Sequence, residues 1–235
     1  MTRFDLHIHS ALSACGEDVL SPRLIVERAA ARGLHLISVV DHNASAHVEP
    51  TLRLGADSGL TIIPGIEVAT REEVHLLAYF PGLSELAEFQ KLIDAHLPKL
   101  ENNSELFGHQ LIYDDGGEIV DLDRRLRLVG VDLGIDTLVA AIHEHAGRAV
   151  PAHIFRLRNG LLSQLGFIDP ESRFDGLEID WREWRKRGLR PGCREQGFPA
   201  ISGSDSHFLE DIGRRFLEIE ASPQSLRELA AIVLA

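Results

Sequence analysis

A short run near the start of the chain, FDLHIH at residues 4–9, combines the apolar pattern of a strand with two histidines. Alternate residues of a strand point to the same face, so the pattern places His7 and His9 on one face. The Ser-Pro pair at 21–22 then supplies an N-cap and a first-turn proline for a helix that ends before Gly33. The sequence therefore begins with a strand that ends in polar residues and passes into a helix.

The alternation of apolar runs and helical spacing continues along the chain. Further strands are predicted at 34–40, 60–68, 73–80, 149–153, 176–179, 200–203 and 216–219. Helices are predicted at 48–56, 84–97, 136–146 and 161–165, with a last one that begins at Ser222. Strands interleaved with helices favour a (β/α) barrel over an open sheet. We predict one α/β domain over residues 1–235, with an inserted helical cap at about 84–130.

The composition excludes several classes of protein. The 235 residues are 44% hydrophobic and 26% charged, which is enough for a buried core. A net charge of −12 argues against a broad nucleic-acid-binding face, although a local cationic pocket is compatible with it. Cys15 and Cys193 are too few and too far apart for a disulfide framework. Because the sequence shows no membrane span and no signal peptide, we expect a cytoplasmic protein without a membrane partner.

Polar residues of unusual kinds follow the ends of the predicted strands. They are His7, His9, Asp41, His42, Glu67, His153, Asp205 and His207, and His75 lies within a strand. The carboxyl ends of parallel barrel strands meet at one face, so we expect these side chains to share one cavity. Imidazoles and carboxylates together suit zinc, manganese or iron. The remaining histidines, at 35, 47, 96, 109, 143 and 145, fall at a strand start or in helical stretches and predict no site.

Five motifs occur in a fixed order along the chain. They are DLHIHS at 5–10, DHN at 41–43, PGIEV with EVHLLAY at 64–79, PAHIFR at 151–156 and GSDSH at 203–207. Together they resemble the PHP (polymerase and histidinol phosphatase) superfamily over residues 4–219, apart from 84–130. The resemblance implies a distorted (β/α)7 barrel of the TIM-like kind. It also implies two or three divalent metal ions, of manganese, zinc or iron, and hydrolysis of phosphate esters.

Carried over position by position, the resemblance implies three metal sites in which Glu67 bridges two ions. The ligands are His7, His9, Glu67 and Asp205 for the first metal, Glu67, His75 and His153 for the second, and His42 and His207 for the third. Many members add a histidine or aspartate to the third site five or six residues after the second histidine. Ala14 and Cys15 stand there in this chain. Glu17 is the preferred substitute, followed by Asp18, with the Cys15 thiolate as a further alternative that would favour zinc.

Two acidic residues are predicted to act in catalysis. A phosphate ester resists attack because its anionic oxygens repel a nucleophile, and divalent cations offset that charge and generate hydroxide near neutral pH. Glu67 would set the separation of the ions, and Asp41 would transfer a proton. Asp5 and Asp41 are both candidates for orienting the ligand histidines or for proton transfer, and a strand-end cap is an equal alternative for Asp41.

Cationic side chains are expected near the substrate phosphate. Arg156, three residues after a predicted ligand, and Arg214 are the predicted substrate-binding residues. A basic run at 182–194 follows another strand end and is accompanied by Trp181 and Trp184. The run could flank the cavity and stack a base, or it could form a solvated helix whose tryptophans pack inward.

The leading functional hypothesis is a phosphatase that acts on a small phosphorylated metabolite or nucleotide through attack of metal-bound hydroxide. Alternatives within the same chemistry are an exonuclease or phosphodiesterase acting on short oligonucleotides, and a histidinol phosphatase. Hydrolysis of an amide or lactone is a different reaction class that HxH metal barrels also support. The non-enzymatic alternative is a metal-binding regulatory module, suggested by the substituted ligand after the HxH.

Overall fold

The computed structural model describes residues 1–234, which form mixed α/β structure. The strands are β1 (Thr2–Ile8), β2 (Leu36–Val39), β3 (Thr61–Ile62), β4 (Gly65–Ala69), β5 (His75–Tyr79), β6 (Leu111–Tyr113), β7 (Ile119–Leu122), β8 (Arg148–Pro151), β9 (Leu177–Glu178), β10 (Arg194–Glu195), β11 (Phe198–Ile201) and β12 (Leu217–Ile219). The helices are α1 (Pro22–Ala31), α2 (Val48–Ser58), α3 (Leu83–His96), α4 (Ser104–Phe107), α5 (Ile135–Glu144), α6 (Leu161–Leu165), α7 (Trp181–Lys186) and α8 (Leu226–Val233).

The strands pair into four small sheets. The first has the order β12-β1-β2-β3, with β12 antiparallel to β1 and the other pairs parallel. The second is the antiparallel set β4-β5-β8, the third is β10-β11-β9, and the fourth is the hairpin β6-β7. Isolated parallel bridges pair Ile8 with Ser206 and His42 with Glu67, and so join the ends of different sheets. The α/β class is confirmed, and the closed seven-stranded barrel stays a prediction.

The expectation of parallel βα units throughout is wrong for β4 and β5. The predicted strand at 60–68 is divided into β3 and β4, and only residues 70–74 separate β4 from β5. A parallel pair needs a crossover of a dozen or more residues, so β5 can only run back along β4. This reversal places His75, at the start of β5, opposite Ala69 at the end of β4.

The predicted helical cap at 84–130 is helical mainly in its first half, which forms α3. The second half contains the single turn of α4 and the hairpin β6-β7. The Asp-Asp-Gly-Gly sequence at 114–117 lies between the two hairpin strands, where such residues favour a tight turn. The Leu111 N–H donates to the Ala11 carbonyl at 2.8 Å, so the hairpin packs on the loop that follows β1.

The helices at the two ends of the chain begin at serine caps. The Ser21 side chain accepts the Leu24 N–H at the start of α1, as the Ser-Pro signal predicts. The last helix, α8, begins later than predicted, with Ser225 as its cap. Phe4 and Ile66 are fully buried in a core cluster that also includes Leu226, Leu229 and Val233 of α8. Within residues 1–234, none of the helices has the length and apolar character needed to span a membrane.

Candidate metal centre

The Glu67 carboxylate lies at the centre of a buried cluster of imidazoles. Glu67 is on β4 and has no solvent exposure. Nitrogens of five histidines lie 2.9–3.4 Å from its two oxygens, namely those of His7, His9, His42, His75 and His153. Oε1 faces His7, His75 and His153, and Oε2 faces His9 and His42. Histidines from four separate segments of the chain therefore meet at one carboxylate.

Asp205 brings a second carboxylate to the same cluster. Its Oδ1 lies 3.2 Å from His7 Nε2, 3.1 Å from His9 Nε2 and 3.5 Å from His207 Nδ1. Its Oδ2 accepts from the Arg156 guanidinium. The backbone of Asp205 has a φ of 51°. L-residues rarely adopt this left-handed conformation, and such strain is concentrated at functional sites.

The donor set fits divalent cations. Three groups have ligand atoms within 4.8 Å of one another: His7, His9 and Glu67; His42, Glu67 and His75; and His9, His42 and His207. Glu67 Oε2 and both ring nitrogens of His153 are buried without a hydrogen-bond partner. A buried polar atom left unpaired costs about 1–3 kcal/mol, and a bound cation would relieve that cost. Mixed nitrogen and carboxylate ligands suit zinc, manganese or iron.

The charges of the cluster shift the pKa values of its members. Burial raises the pKa of Glu67, but the surrounding imidazoles, led by His75, outweigh burial and hold it well below its usual range. Burial lowers the pKa of His9, yet the neighbouring carboxylates of Asp205 and Glu67 outweigh burial and raise it to about 9. The pKa of His42 is also about 9, because Glu67 outweighs burial. For His75 burial prevails and lowers the pKa to about 4.

Glu178, which the sequence did not single out, orients two of the histidines. Both of its carboxylate oxygens lie 3.0 Å from His7 Nδ1, and one accepts the His153 backbone N–H at 3.0 Å. The Nδ1–H of His7 therefore donates to Glu178, which leaves Nε2 facing the cluster. A Cβ at Gly203 would collide with both Glu178 and His7, so glycine is required at this close approach. The sequence signal for Glu178 is a single acidic residue within the otherwise apolar strand predicted at 176–179.

The Asp41 carboxylate is linked to the cluster through two serines. It accepts the Ser10 N–H and the Ser13 hydroxyl, both at 2.7 Å, and Ser13 Oγ lies 3.0 Å from His9 Nδ1. This geometry supports the orienting alternative for Asp41 and places it away from the reacting centre. His47, predicted to have no part in a site, is buried with its Nδ1 2.7 Å from Ser10 Oγ.

Glu17 is not among the groups of side chains placed to hold a cation, and its role as a metal ligand stays a prediction. Its Oε2 accepts the Leu209 N–H at 2.8 Å. The Gly16 N–H closes a turn on the carbonyl of residue 13 at 2.8 Å, which directs Glu17 toward the loop after β11. Asp18 instead lies 2.9 Å from His109.

A cavity of about 480 Å³ opens beside the cluster. Its wall includes His153, Arg156, Asp205 and Arg215, so Arg156 lies where the sequence predicts. Arg214 does not line this cavity, because its guanidinium pairs with the acidic residues at 210 and 211. Of the two neighbouring arginines, the structure brings Arg215 to the cavity.

A second, more open groove of about 610 Å³ adjoins the cavity, and we call it the basic groove. It is lined by Trp181, Arg182, Arg185, Lys186, Arg214 and Arg215. Trp181, Arg182 and Arg215 also line the cavity, so the two spaces are continuous. The two tryptophans differ in their surroundings. Trp184 is 4% exposed and packs into the core, as the inward-packing alternative predicts, whereas Trp181 lines the cavity, as the alternative of a flanking surface predicts.

Comparisons with known proteins agree with this fold and with the motifs. Residues 191–233 match a family model described as PHP-associated. The uncharacterised protein YqxK of Bacillus subtilis is 24% identical over 265 residues, covering 96% of this chain and 60% of YqxK. The 3',5'-nucleoside bisphosphate phosphatase of Chromobacterium violaceum is 31% identical over 80 residues, covering 33% of this chain and 27% of that protein.

Among solved structures, the lesion-specific endonuclease Q of Pyrococcus furiosus has a similar fold. The TM-score is 0.66 at 19% identity, over 99% of this chain and 56% of that chain. The chain thus spans about 60% of YqxK and 56% of endonuclease Q. The ordered motifs and the match at 191–233 agree with the resemblance of the sequence to the PHP superfamily, and endonuclease Q shares the fold.

Proposed function

We propose that this chain hydrolyses phosphate esters at the buried cluster, using two or three divalent cations of the manganese, zinc or iron class. The observation that supports this most directly is the Glu67 carboxylate, whose two oxygens face different sets of imidazoles. A carboxylate in that position can bridge two cations and set their separation. Paired cations are a recurrent solution for hydrolysis of phosphate esters.

The ligand assignment follows the geometry and the family motifs together. The first cation would be held by His7, His9, Glu67 and Asp205, the second by Glu67, His75 and His153, and the third by His42 and His207. When bound, such cations offset the charge of the phosphate oxygens and lower the pKa of a water. Glu178 and Asp41 would hold the ligand imidazoles in the required tautomers.

The cavity suits a small phosphorylated substrate. Its volume, about 480 Å³, lies in the usual range for small-molecule sites. Arg156 and Arg215 place two guanidinium groups on its wall, and guanidinium groups bind phosphate oxygens in bidentate pairs. Because Arg156 already pairs with Asp205, it would link the substrate phosphate to a metal ligand. The nucleoside bisphosphate phosphatase of C. violaceum supports a nucleotide as the substrate class.

The second candidate is a phosphodiesterase or exonuclease acting on a short oligonucleotide. The observation that favours it is the basic groove, which continues from the cavity and carries five arginine and lysine side chains. A strand whose scissile phosphate lay in the cavity could extend along that groove. Endonuclease Q has been solved with a 27-mer duplex, with an abasic lesion at its active site.

A screen with separately supplied metals tests both candidates. The metal-free protein is reconstituted with manganese, zinc or ferrous iron and assayed on p-nitrophenyl phosphate, its bis-ester, nucleotides, histidinol phosphate and short oligonucleotides. Monoester turnover that chelation abolishes supports the phosphatase, and preference for the bis-ester and oligonucleotides supports the second candidate. Turnover of amides or lactones alone would contradict both. Fewer than two ions per chain with no hydrolysis would instead support a regulatory module.

A further inference from the structure

His47, immediately before α2, connects the hairpin β6-β7 to the side chains around the cluster. Its imidazole is fully buried, and Nε2 accepts the Tyr113 backbone N–H at 2.8 Å. A backbone amide can only donate, so Nε2 holds the lone pair and the proton of the ring lies on Nδ1. Burial also lowers the pKa of His47, which keeps the ring neutral. Nδ1 lies 2.7 Å from Ser10 Oγ and therefore donates to that hydroxyl.

The direction of the hydrogen bonds continues from His47 through Ser10, Asp41 and Ser13, which we call the serine–aspartate link. Ser10 Oγ accepts from His47, so its own proton goes to Asp41 Oδ2 at 2.5 Å. The Ser13 hydroxyl donates to the other carboxylate oxygen, Oδ1, at 2.7 Å. All three side chains belong to residues that are 1% exposed or less. Each serine has only one hydroxyl proton, so toward its other neighbours it can only accept.

This arrangement leaves one tautomer for a neutral His9. Its Nδ1 lies 3.0 Å from Ser13 Oγ, whose proton is already donated to Asp41. His9 Nδ1 must therefore donate, and the lone pair of Nε2 faces the cluster. Nε2 lies 3.1 Å from Asp205 and 3.3 Å from Glu67, the two carboxylates assigned with it to the first cation. The serine–aspartate link thus presents to the cluster the nitrogen that a cation needs.

The far end of this chain of hydrogen bonds is held by the hairpin, which is docked on the segment after β1. The Tyr113 hydroxyl donates to the Asp18 carbonyl at 2.6 Å. Arg23 of α1 donates to two backbone carbonyls of the turn at 114–117. The hairpin residues 111–122, all of them described by the structure, line neither the cavity nor the basic groove. The hairpin is therefore placed to support the cluster from behind and not to contact substrate.

We propose that His47 is a positioning residue that acts through the serine–aspartate link to hold His9 with its proton on Nδ1. The hairpin contributes the Tyr113 N–H, which fixes the tautomer of His47 itself. Hydrogen bonds in such a chain polarise one another, so the loss of one bond weakens the next. The inference rests on the proposed metal centre, and it gives the inserted hairpin a role in preparing one of the ligands.

Nitrogen NMR of the zinc-loaded holoprotein tests the two tautomers directly. The protein is labelled with ¹⁵N-histidine, and two-bond proton–nitrogen correlation spectra identify the ring nitrogen that carries each proton. We expect a proton on Nδ1 in both His9 and His47, with slow exchange because both rings are buried. Loss of signals in single histidine variants assigns each ring. A proton on Nε2 of either ring would overturn the inference, and this result needs no variant to fold.

Two variants of His47 separate the two ends of its connection. In His47→Gln the amide oxygen can replace Nε2 and accept the Tyr113 N–H, but the donor to Ser10 is lost. In His47→Asn the amide nitrogen can replace Nδ1 and donate to Ser10, but the Tyr113 N–H loses its acceptor. Zinc affinity, measured by competition titration, should fall by about 2- to 10-fold in His47→Gln, as for the loss of one hydrogen bond. His47→Asn should lie between His47→Gln and wild type.

Ser13→Ala should have a larger effect, because it leaves His9 Nδ1 without an acceptor. We expect zinc affinity to fall by about 10–100-fold. Ser38→Ala is the matched control, since Ser38 is equally buried and its hydroxyl donates to the Ile63 carbonyl at 2.8 Å, away from His9. It should bind zinc as wild type does, and circular dichroism checks that each variant is folded.

Unchanged zinc affinity in folded Ser13→Ala and His47→Gln, or an equal loss in Ser38→Ala, would overturn the inference. Hydrolysis of phosphate esters by a protein whose His9 carries its proton on Nε2 would refute the positioning role alone. The expected tautomers and affinities without any hydrolysis would support the positioning role and refute the proposed function.

Discussion

The metal cluster and the basic groove lie side by side but are built in opposite ways. In the cluster, His7 and Glu67 have no solvent exposure, and the partner that orients His7 lies 171 residues away. In the groove, Lys186 is 73% exposed on the short helix α7 and pairs with Glu183 within the same turn. Packed strands hold the candidate metal ligands in place, whereas the surface that would bind the rest of the substrate lies on a short exposed helix. Substitutions should therefore have larger effects in the cluster.

Glu67→Gln should have the largest effect, because it removes the charge that would bridge two cations. We expect kcat to fall by about 10³-fold or more, roughly 4 kcal/mol of activation free energy. Metal content should fall in parallel when it is measured by mass spectrometry of the purified protein. The fold should persist, since the side chain keeps nearly the same volume.

Exposed Glu144, at the end of α5, offers the matched control for this change. Glu144→Gln should leave both kcat and metal content as in wild type. Near-normal turnover in Glu67→Gln would remove the basis for a bridging role and, with it, the contrast between cluster and groove.

Glu178→Gln should have the next largest effect. One oxygen remains to accept a proton, but the charge that orients His7 is lost. Loss of such a supporting group typically lowers metal affinity or activity by about 10–100-fold. Isothermal titration with zinc would measure the affinity, and the melting temperature of the metal-free protein would report any structural damage. A lower melting temperature with unchanged affinity would make Glu178 a structural residue only.

The contrast between Glu178 and the ligands shows what the sequence could predict. A local pattern places His7 and His9 on one face of a strand, and the order of the motifs identifies Glu67. Glu178 is a single acid within an apolar strand, and its partner lies 171 positions away in sequence. No local pattern reports such a partnership, so the orienting residue could only be found in the folded chain.

Three differences between the expectations and the structure have particular physical causes. The direction of the loop after His9 depends on backbone bonds to the chain near residue 207, which turn Glu17 away from the cluster. Strand β5 is reversed because the connection over residues 70–74 is too short for a parallel crossover. Residues 111–122 form a hairpin around the Asp-Asp-Gly-Gly turn, whereas the sequence analysis predicts a helical cap there.

Arg156→Ala should have an intermediate effect, because Arg156 belongs to both regions. It pairs with Asp205 of the cluster and lines the cavity that opens into the groove. If its guanidinium binds the substrate phosphate, kcat/KM should fall by about 1–3 kcal/mol in transition-state binding. Steady-state kinetics would measure this, and Arg156→Lys should recover part of the loss. An unchanged kcat/KM would limit Arg156 to a partner of Asp205.

The smallest effect is expected in the groove, from the double variant Arg185→Ala, Lys186→Ala. If a single strand lies along the groove, removing two cationic side chains should weaken its binding. The slope of log affinity against log salt concentration should also become shallower by about 0.7 for each lost phosphate contact. Fluorescence anisotropy with a labelled oligonucleotide over a range of salt concentrations measures both quantities.

Arg190→Ala provides the control for the groove, since Arg190 is exposed in the same basic run but does not line the groove. Because both variants lower the net positive charge of the run, a general electrostatic effect would change the salt slope in Arg190→Ala as well. A change confined to the double variant would place the strand in the groove and support the oligonucleotide substrate. If wild type and both variants have the same salt dependence of affinity, the groove does not bind the strand. Only the cavity would then select the substrate, which favours a small phosphomonoester.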